Sequence, residues 1–527
     1  MKKNSILMII LVIIILGTAS GALYWYLNQN KSISTTIPTE QKAELDNLKI
    51  SFSPFSGFYP NTQFEPPSLA INLSIYEGLT KLNKDFRLEP MIAQKWSNPD
   101  DNTWRFFIDP EAKFSNGKII TADDVKFSFD TCVKAETPNM QSLANVKEVK
   151  VVNSTTVDFV TTFPDAILAN KLNYLLIISQ EKTTAGEEPI YVGSGHYIVK
   201  DYTPNTSLTL TRNPNYWKTP AYAKLITFVP VQYQTEAERI AGITKGEIDI
   251  TSIGSEVDSI ATATAQGIKM KKLSGTTVYN LYLNTEAKAL PKKLSTTDNP
   301  LAKKDVREAI YMAIDPTKIA DSIPAGANAE NQMVNKYIVG YNKDIKRPTF
   351  NIETAKAKLI AAGYPNGFSV TIDVPTGGDP AVTIILDDLA LIGIKATLNE
   401  VAQDEIPQLY DGSSAIALHG YQPETGESGT VLNNLLHSTN ASYGQYNVMG
   451  YSSTELDALI EQANTTLEAK SRLSLLKQAM KLAMDNFARI PLYTTNNVYI
   501  TTKNILWEPR LDESFLPTEV AGKASTN

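Results

Sequence analysis

Between Ile71 and Phe129 the chain spells out a strand, a tight turn and a helix in quick succession. Trp104, Phe106 and Ile108 alternate with Arg105, Phe107 and Asp109, the two-residue period of a half-buried strand. Asn116-Gly117 supplies the positive φ of a hairpin turn. Thr121 with Asp124 three residues on is a capping-box pattern, with Asp in place of the usual Glu or Gln. Val125, Phe129, Cys132 and Val133 then share one helical face, which predicts a helix packed through them. By local pattern alone this is a β-hairpin followed by an amphipathic helix, which a globular protein of any function could contain.

At 527 residues the chain exceeds one ordinary hydrophobic core, so two or three domains are expected. Charged residues make up 20% and hydrophobic residues 43%, which excludes a disordered chain. The net charge of −7 comes without long runs and argues against nucleic acid as a partner, which needs a basic footprint. With the single Cys132, no intramolecular disulfide is possible. Neither GxSxG, HExxH nor Cys-x-x-Cys occurs, so no enzyme is predicted and no cofactor expected. The three histidines, His196, His419 and His437, are far apart in sequence, too few for a convincing metal site. Adjacent acids such as Asp123-Asp124 and Asp387-Asp388 lie on expected helices and read as solvated charge.

Lys2 and Lys3 precede an uncharged run from Ile6 to Leu27. At ~1.5 Å per residue such a run gives roughly 33 Å of helix, enough to cross a bilayer core. Tyr24, Trp25 and Tyr26 would sit in the far interface, and the lysines hold the N-terminus inside. The expectation is a membrane anchor over residues 1–28, a flexible linker over 29–47, and a domain outside the cell. A cleaved signal peptide, cut near the small residues Thr18 to Ala22, is the competing reading.

The order of several short motifs carries more than any one of them. Tyr76-Glu77-Gly78-Leu79, Trp104-Arg105-Phe106, Lys113-Phe114-Ser115-Asn116-Gly117 and Thr121-Ala122-Asp123-Asp124-Val125 follow one another. Later come Val192-Gly193-Ser194-Gly195-His196-Tyr197, Arg212-Asn213-Pro214-Asn215-Tyr216-Trp217, the helix Asp305 to Asp315, and Arg489-Ile490-Pro491-Leu492-Tyr493. Together they closely resemble the family 5 extracellular solute-binding proteins, the peptide- and nickel-type binding subunits of ABC importers. The glycines at 193 and 195 read as a structural turn, since no GxGxxG or P-loop lysine accompanies them.

The resemblance implies an α/β, two-lobed periplasmic-binding-protein-like fold with an extra subdomain in the first lobe. Lobe I would comprise 48–276 plus 487–520, its inserted subdomain about 76–191, and lobe II 277–486. The loop before Tyr76 lies on the ligand cleft in that family, which makes Gln63, Phe64 and Glu65 candidates. In the second lobe the family holds a Trp and, three residues later, an Asp that pairs with a peptide's α-amino group. Here Tyr421 falls on the Trp and Glu424 on the Asp, a departure at both positions. His419, Tyr421, Gln422 and Glu424 are the ligand-binding candidates on this side, with Glu427 a rival for the amine. Tyr443 to Tyr451 is a Tyr/Gly/Asn-rich loop expected on the cleft rim. Thr454-Glu455-Leu456-Asp457 reads as a helix cap, and Leu473, Leu476, Met480, Ala483 and Phe487 as the apolar stripe of a second long helix.

The function so implied is capture of oligopeptides in an interlobe cleft and delivery to a membrane permease with its ATPases, by a monomer held at the cell membrane with its binding domain extracellular or periplasmic. The same fold also holds oligosaccharides and nickel complexes. A surface glycoside hydrolase using Glu424 and Glu427, or a tethered peptide chaperone, are the other classes left open.

Overall fold

The computed structural model describes residues 41–524, apart from 53–54, 56, 59, 62–65, 135–142, 186–187, 231–234, 255–256, 287–295, 297, 377–378, 380, 403–412 and 441. The expected anchor over residues 1–28 and the candidates Gln63, Phe64 and Glu65 lie outside the described residues. Among the described residues, no helix is long and apolar enough to cross a membrane. Contacts divide the chain into a small terminal unit, Met1–Ala43 with Lys523–Asn527, and a large one, Glu44–Gly522. In the small unit, Ala524 N donates to Gln41 O at 2.8 Å.

The large unit is organised by a mixed sheet of 11 strands. From one edge run Tyr197–Thr203, Ser207–Arg212, Ala223–Pro230, Leu45–Phe52 and Ile250–Ile253. From the other run Lys395–Val401, Ser369–Pro375 and Ile416–Tyr421. Two long strands, Lys269–Leu283 and Ile490–Thr501, join these halves, antiparallel to each other from Lys269 opposite Thr501 to Leu281 opposite Ile490. Ile490–Thr501 pairs with Ile250–Ile253 near its end, and Lys269–Leu283 pairs with Ile416–Tyr421 near its own. Ser369–Pro375 and Lys395–Val401 pair in parallel, and Lys269–Leu283 is a single strand of 15 residues. The first strand starts earlier than expected. Leu45 to Phe52 pairs in parallel with Ala223 to Pro230, so the last residues of the expected linker are sheet. Their polar members face water, as Asp46 does in its 2.8 Å ion pair with Lys224.

The two connecting strands slip in register between Ser274 and Val278. A bulge frees backbone N–H groups that must find other acceptors. Glu513 supplies one: a single carboxylate oxygen accepts from Thr276 N at 2.6 Å, Thr277 N at 3.0 Å and Thr277 Oγ1 at 3.1 Å. Asn335 donates to Gly275 O at 2.7 Å from the other side. Glu513 itself sits at φ 60°, an uncommon conformation for a residue with a Cβ.

Helices cover both faces of the second half. Lys304–Ala313 and Ala381–Leu391 bury Ile310 and Ile385 on one face; Thr454–Thr465 and Ala469–Asp485 bury Ile460 and Met480 on the other. Arg307, in the middle of the first of these helices, is buried. It donates to Phe487 O, Asn486 O, Leu301 O and Ala302 O at 2.9–3.0 Å, and so satisfies carbonyls left open where Ala469–Asp485 ends. Four expectations need correction here. Phe487 lies past that helix at φ 50°, not on its stripe. Ser453, not Thr454, is the N-cap, accepting from Leu456 N at 3.3 Å. Asp388 is buried rather than solvated, because the Asp315 amide donates to it at 3.0 Å. Val133 is 41% exposed, since the helix Ala122–Lys134 packs through Val125, Phe129 and Cys132.

A separate four-stranded sheet, in the order Ala93–Asp100, Thr103–Ile108, Thr156–Thr161, Val146–Asn153, packs against that helix around Trp104, Phe106, Phe129 and Phe159. Gly117 takes the expected positive φ, 88°. The Asp124 carboxylate reaches back to Thr121 N at 2.9 Å, but it also accepts the Thr121 hydroxyl, so only half of a capping box forms. The recurrent motifs meet at Glu77. Its buried carboxylate accepts from Ser194 Oγ at 2.9 Å, Tyr216 OH at 2.8 Å and Trp217 Nε1 at 3.0 Å. Burial pushes its pKa up while these three donors pull it back. Gly193 and Gly195 let this strand lie against Ile75: a Cβ on Gly195 would stand 2.5 Å from Ser74 O, and one on Gly193 would overlap the Ile75 carbonyl. Around Glu77 these motifs build scaffold.

Candidate functional site

Ser369–Pro375 and Ile416–Tyr421 are parallel neighbours, so the loops that follow them emerge at one end of the sheet. Ligands on open α/β sheets collect at such carboxyl ends. Gly420 lies beneath the Tyr279 ring, where a Cβ would stand 3.3 Å from the ring and 2.6 Å from Thr277 Cγ2. Beyond Tyr421 the chain turns through Pro423, with Gly426 N donating to Pro423 O at 3.0 Å. Gly426 holds φ 74° and packs on Phe86; its carbonyl accepts from Val339 N at 3.0 Å.

Within this loop the two candidate acids part company. Glu427 is committed: its carboxylate accepts from Arg472 Nη2 at 2.7 Å and Nε at 3.1 Å, and the pair is largely buried. That removes Glu427 as a rival for a ligand's amine and as half of a hydrolytic pair. Among the described residues, no cation stands within ion-pairing distance of Glu424. Glu424 is exposed by surface area, yet its carboxyl is poorly hydrated by the groups around it. The surrounding walls push its pKa up to about 7. Tyr421 and Tyr446 are its neighbours. The Tyr421 hydroxyl, 9% exposed as a residue, accepts from Asn434 Nδ2 at 2.8 Å, and its ring lies 6.2 Å from that of Tyr446. Burial raises the pKa of both phenols, so they stay neutral donors.

The first half of the molecule meets this loop directly. Tyr174 OH donates to Glu424 O at 3.3 Å and Asn170 Nδ2 to Thr425 O at 3.0 Å, from the short helical turns Leu168–Lys171 and Leu172–Tyr174. Gln422 has a positioning part: its amide donates to Asp512 O at 2.9 Å and Thr276 Oγ1 at 3.3 Å, tying the loop to the bulge. His419 sits two residues back along the strand from Tyr421, opposite Asn280 and edge-on to Tyr282, and burial lowers its pKa. Among the described residues, no group of three or more metal-ligating side chains gathers. His437 instead lies against Glu461 and stacks on Tyr443.

The structure thus brings Tyr421 and Glu424 together. Reading the residues alone missed Tyr174, Asn170 and Asn434, whose partners lie 13 to 255 positions away in the chain. Tyr446 does belong to the loop expected on the rim. Asp379 was also missed. It follows Ser369–Pro375 at the same sheet end and accepts the Tyr493 hydroxyl; the Tyr493 ring stacks on Tyr279 at 4.9 Å and 8°. Burial raises the Asp379 carboxyl above its usual range.

Residues 87–443 match the family model described as "Bacterial extracellular solute-binding proteins, family 5 Middle". The chain is 26% identical over 513 residues to the "Heme-binding protein A" of Haemophilus influenzae, covering 88% of this chain and 89% of that one. It is 25% identical over 438 residues to the "Dipeptide-binding protein" of Escherichia coli, covering 75% and 79%. Among solved structures, HbpA2 from Haemophilus parasuis superposes with a TM-score of 0.78 at 23% identity, over 91% of this chain and all of that one.

Proposed function

Since the chain belongs to the bacterial extracellular solute-binding proteins of family 5, we propose that it captures peptides for an ABC importer, and that the peptide's free amino group rests on Glu424. The observation that carries this is one carboxylate, at the loop where the two halves meet, that has no cation of its own among the described residues. A carboxylate held near neutrality by poor hydration gains most from an incoming ammonium, which restores the stabilisation that water no longer gives. Tyr421 and Tyr446 offer apolar walls with hydroxyl tips beside it. An extended backbone suits a site at strand ends, because its amides can pair with main chain while pockets take the side chains.

In this reading the lobes divide as 48–276 with 487–520, and 277–486. Contacts such as Tyr174 to Glu424 close over the guest, and a permease receives the closed form. Residues Ile6 to Leu27 hold the protein at the outer face of the membrane. The family likeness supports a small-solute ligand; relatives named for heme and for dipeptides mark how far the ligand varies on this fold. The test is native mass spectrometry of the full-length protein released from membranes. Bound masses resolving into short peptides with free amino termini are expected. A single non-peptide mass would overturn the peptide assignment and leave the family intact.

A further inference from the structure

A second concave site lies apart from Glu424. It is a cavity of 580 Å³ whose lining includes Lys84, Arg87, Lys271, Lys272 and Lys336. Only Asp85 and Glu508 oppose these five cations in the lining. Lys84 is taken by Asp85 at 2.8 Å and Lys271 by Glu508. Arg87, Lys272 and Lys336 then remain without a carboxylate at ion-pairing distance among the described residues. Lys272 reaches only the Ala325 carbonyl, at a long 3.5 Å, and Lys336 lies 5.2 Å over the Tyr337 ring. Glu330 is close enough to Lys336 to feel its charge but is buried and bonded to Thr494.

Lys271 and Lys272 are strand neighbours and point to opposite faces, Lys272 toward Ala325 outside the lining, so Arg87 and Lys336 are the surplus positive charges at this hollow. Like charges facing a shared concavity repel, and low-dielectric walls focus their field on whatever enters. The floor is apolar, with Leu273, Pro509 and Leu511 beside the Tyr337 ring. The volume falls in the range of small-molecule sites, roughly 300–1,000 Å³. The walls come from the turn at Lys84 to Arg87, the first half of Lys269–Leu283, the loop at Lys336 and the segment Glu508 to Leu511. Phe86, packed on Gly426, and Val339, bonded to it, separate this hollow from the loop that carries Glu424.

We propose that this cavity is a second binding site, for an organic polyanion: two or more carboxylate or phosphate groups on a compact apolar body. The apolar floor takes the body, and Arg87 and Lys336 take the charges, Arg87 through its bidentate fork.

The probe is trimesate, a benzene ring with three carboxylates, titrated calorimetrically into the full-length protein, with the neutral triamide as comparator. Trimesate is expected to bind and the triamide not, with affinity falling as salt screens the site. Arg87→Gln and Lys336→Gln combined should weaken trimesate at least about tenfold, since charge-assisted hydrogen bonds supply the affinity. Lys336→Glu alone should weaken it as well, with the melting temperature unchanged as the control for folding. Glu424→Gln should leave trimesate affinity as it was, so failure here and failure of the peptide reading are distinguishable. No binding of trimesate, equal binding of the triamide, full affinity in the double variant, or loss in Glu424→Gln would each overturn the proposal.

Discussion

Replacing Glu424 by glutamine removes one negative charge and almost no volume, so it asks a narrow question of the cleft. Two unit charges about 4 Å apart attract by about 4 kcal/mol at an effective dielectric of about 20. Stripping water from the ammonium cancels part of this, and hydrogen bonds to charged groups net about 1.5–3 kcal/mol. An expected loss of about 2 kcal/mol follows, roughly 30-fold in Kd. An N-acetylated peptide of the same sequence should already bind the parent protein that much more weakly and lose little further in the variant. Calorimetry on the four combinations closes a double-mutant cycle, with a coupling of about 2 kcal/mol expected. The pH profile gives an independent reading. The Glu424 carboxyl, with its pKa near 7, is mostly protonated in the free protein at pH 5 and must lose that proton to meet an ammonium. Affinity for the free-amine peptide should therefore fall by up to about tenfold per pH unit below about 7. Glutamine should flatten that slope. Equal losses for the free and acetylated peptides, or an unchanged pH slope in the variant, would refute the assignment of Glu424.

Glu330 offers a stability test well away from the ligand. It is 9% exposed, and burial pushes its pKa up to about 7 from an ordinary 4.5. A raised folded pKa contributes stability that is fully present below about pH 4.5 and lost as pH rises through about 7, amounting to about 3 kcal/mol over that window. Glu330→Gln should raise the melting temperature at pH 8 and weaken its pH dependence, which scanning fluorimetry across pH 5 to 8 can read; an identical profile would contradict the burial argument. Gly193→Ala places a methyl group onto the Ile75 carbonyl and should cost about 3 kcal/mol by overpacking, read as a lowered denaturant midpoint with an unchanged slope.

Periodicity made much of the scaffold legible. The turn at Gly117 and the buried face of Val125, Phe129 and Cys132 stand where local pattern put them. Departures arise where a distant partner outvotes the local pattern. Asp388 looks like one of two solvated neighbours until the Asp315 amide, 73 residues away in the chain, is laid against it. Val133 shares an apolar arc with Phe129 yet faces water, because the helix packs through Val125, Phe129 and Cys132. At the site, spacing alone left Glu424 and Glu427 as equals. Arg472 separates them, 45 positions on from Glu427, and nothing within the loop announces that pairing. Resemblance, not periodicity, placed the site on this loop at all. Three of the motifs that carried the resemblance, those of Glu77, Ser194 and Tyr216-Trp217, join in one buried hydrogen-bond cluster, a structural role that says little about what is bound.

The bulge pinned by Glu513 has a mechanical meaning. Both spans that connect the halves are laced to each other along most of their length, so they behave as one ribbon rather than two independent ropes. A ribbon of that kind resists stretching and sideways slip but yields to twist, and its ladder is interrupted where Gly275, Thr276 and Thr277 lie. Any swivel of one half against the other is thus concentrated in a few peptide units steadied by a single carboxylate.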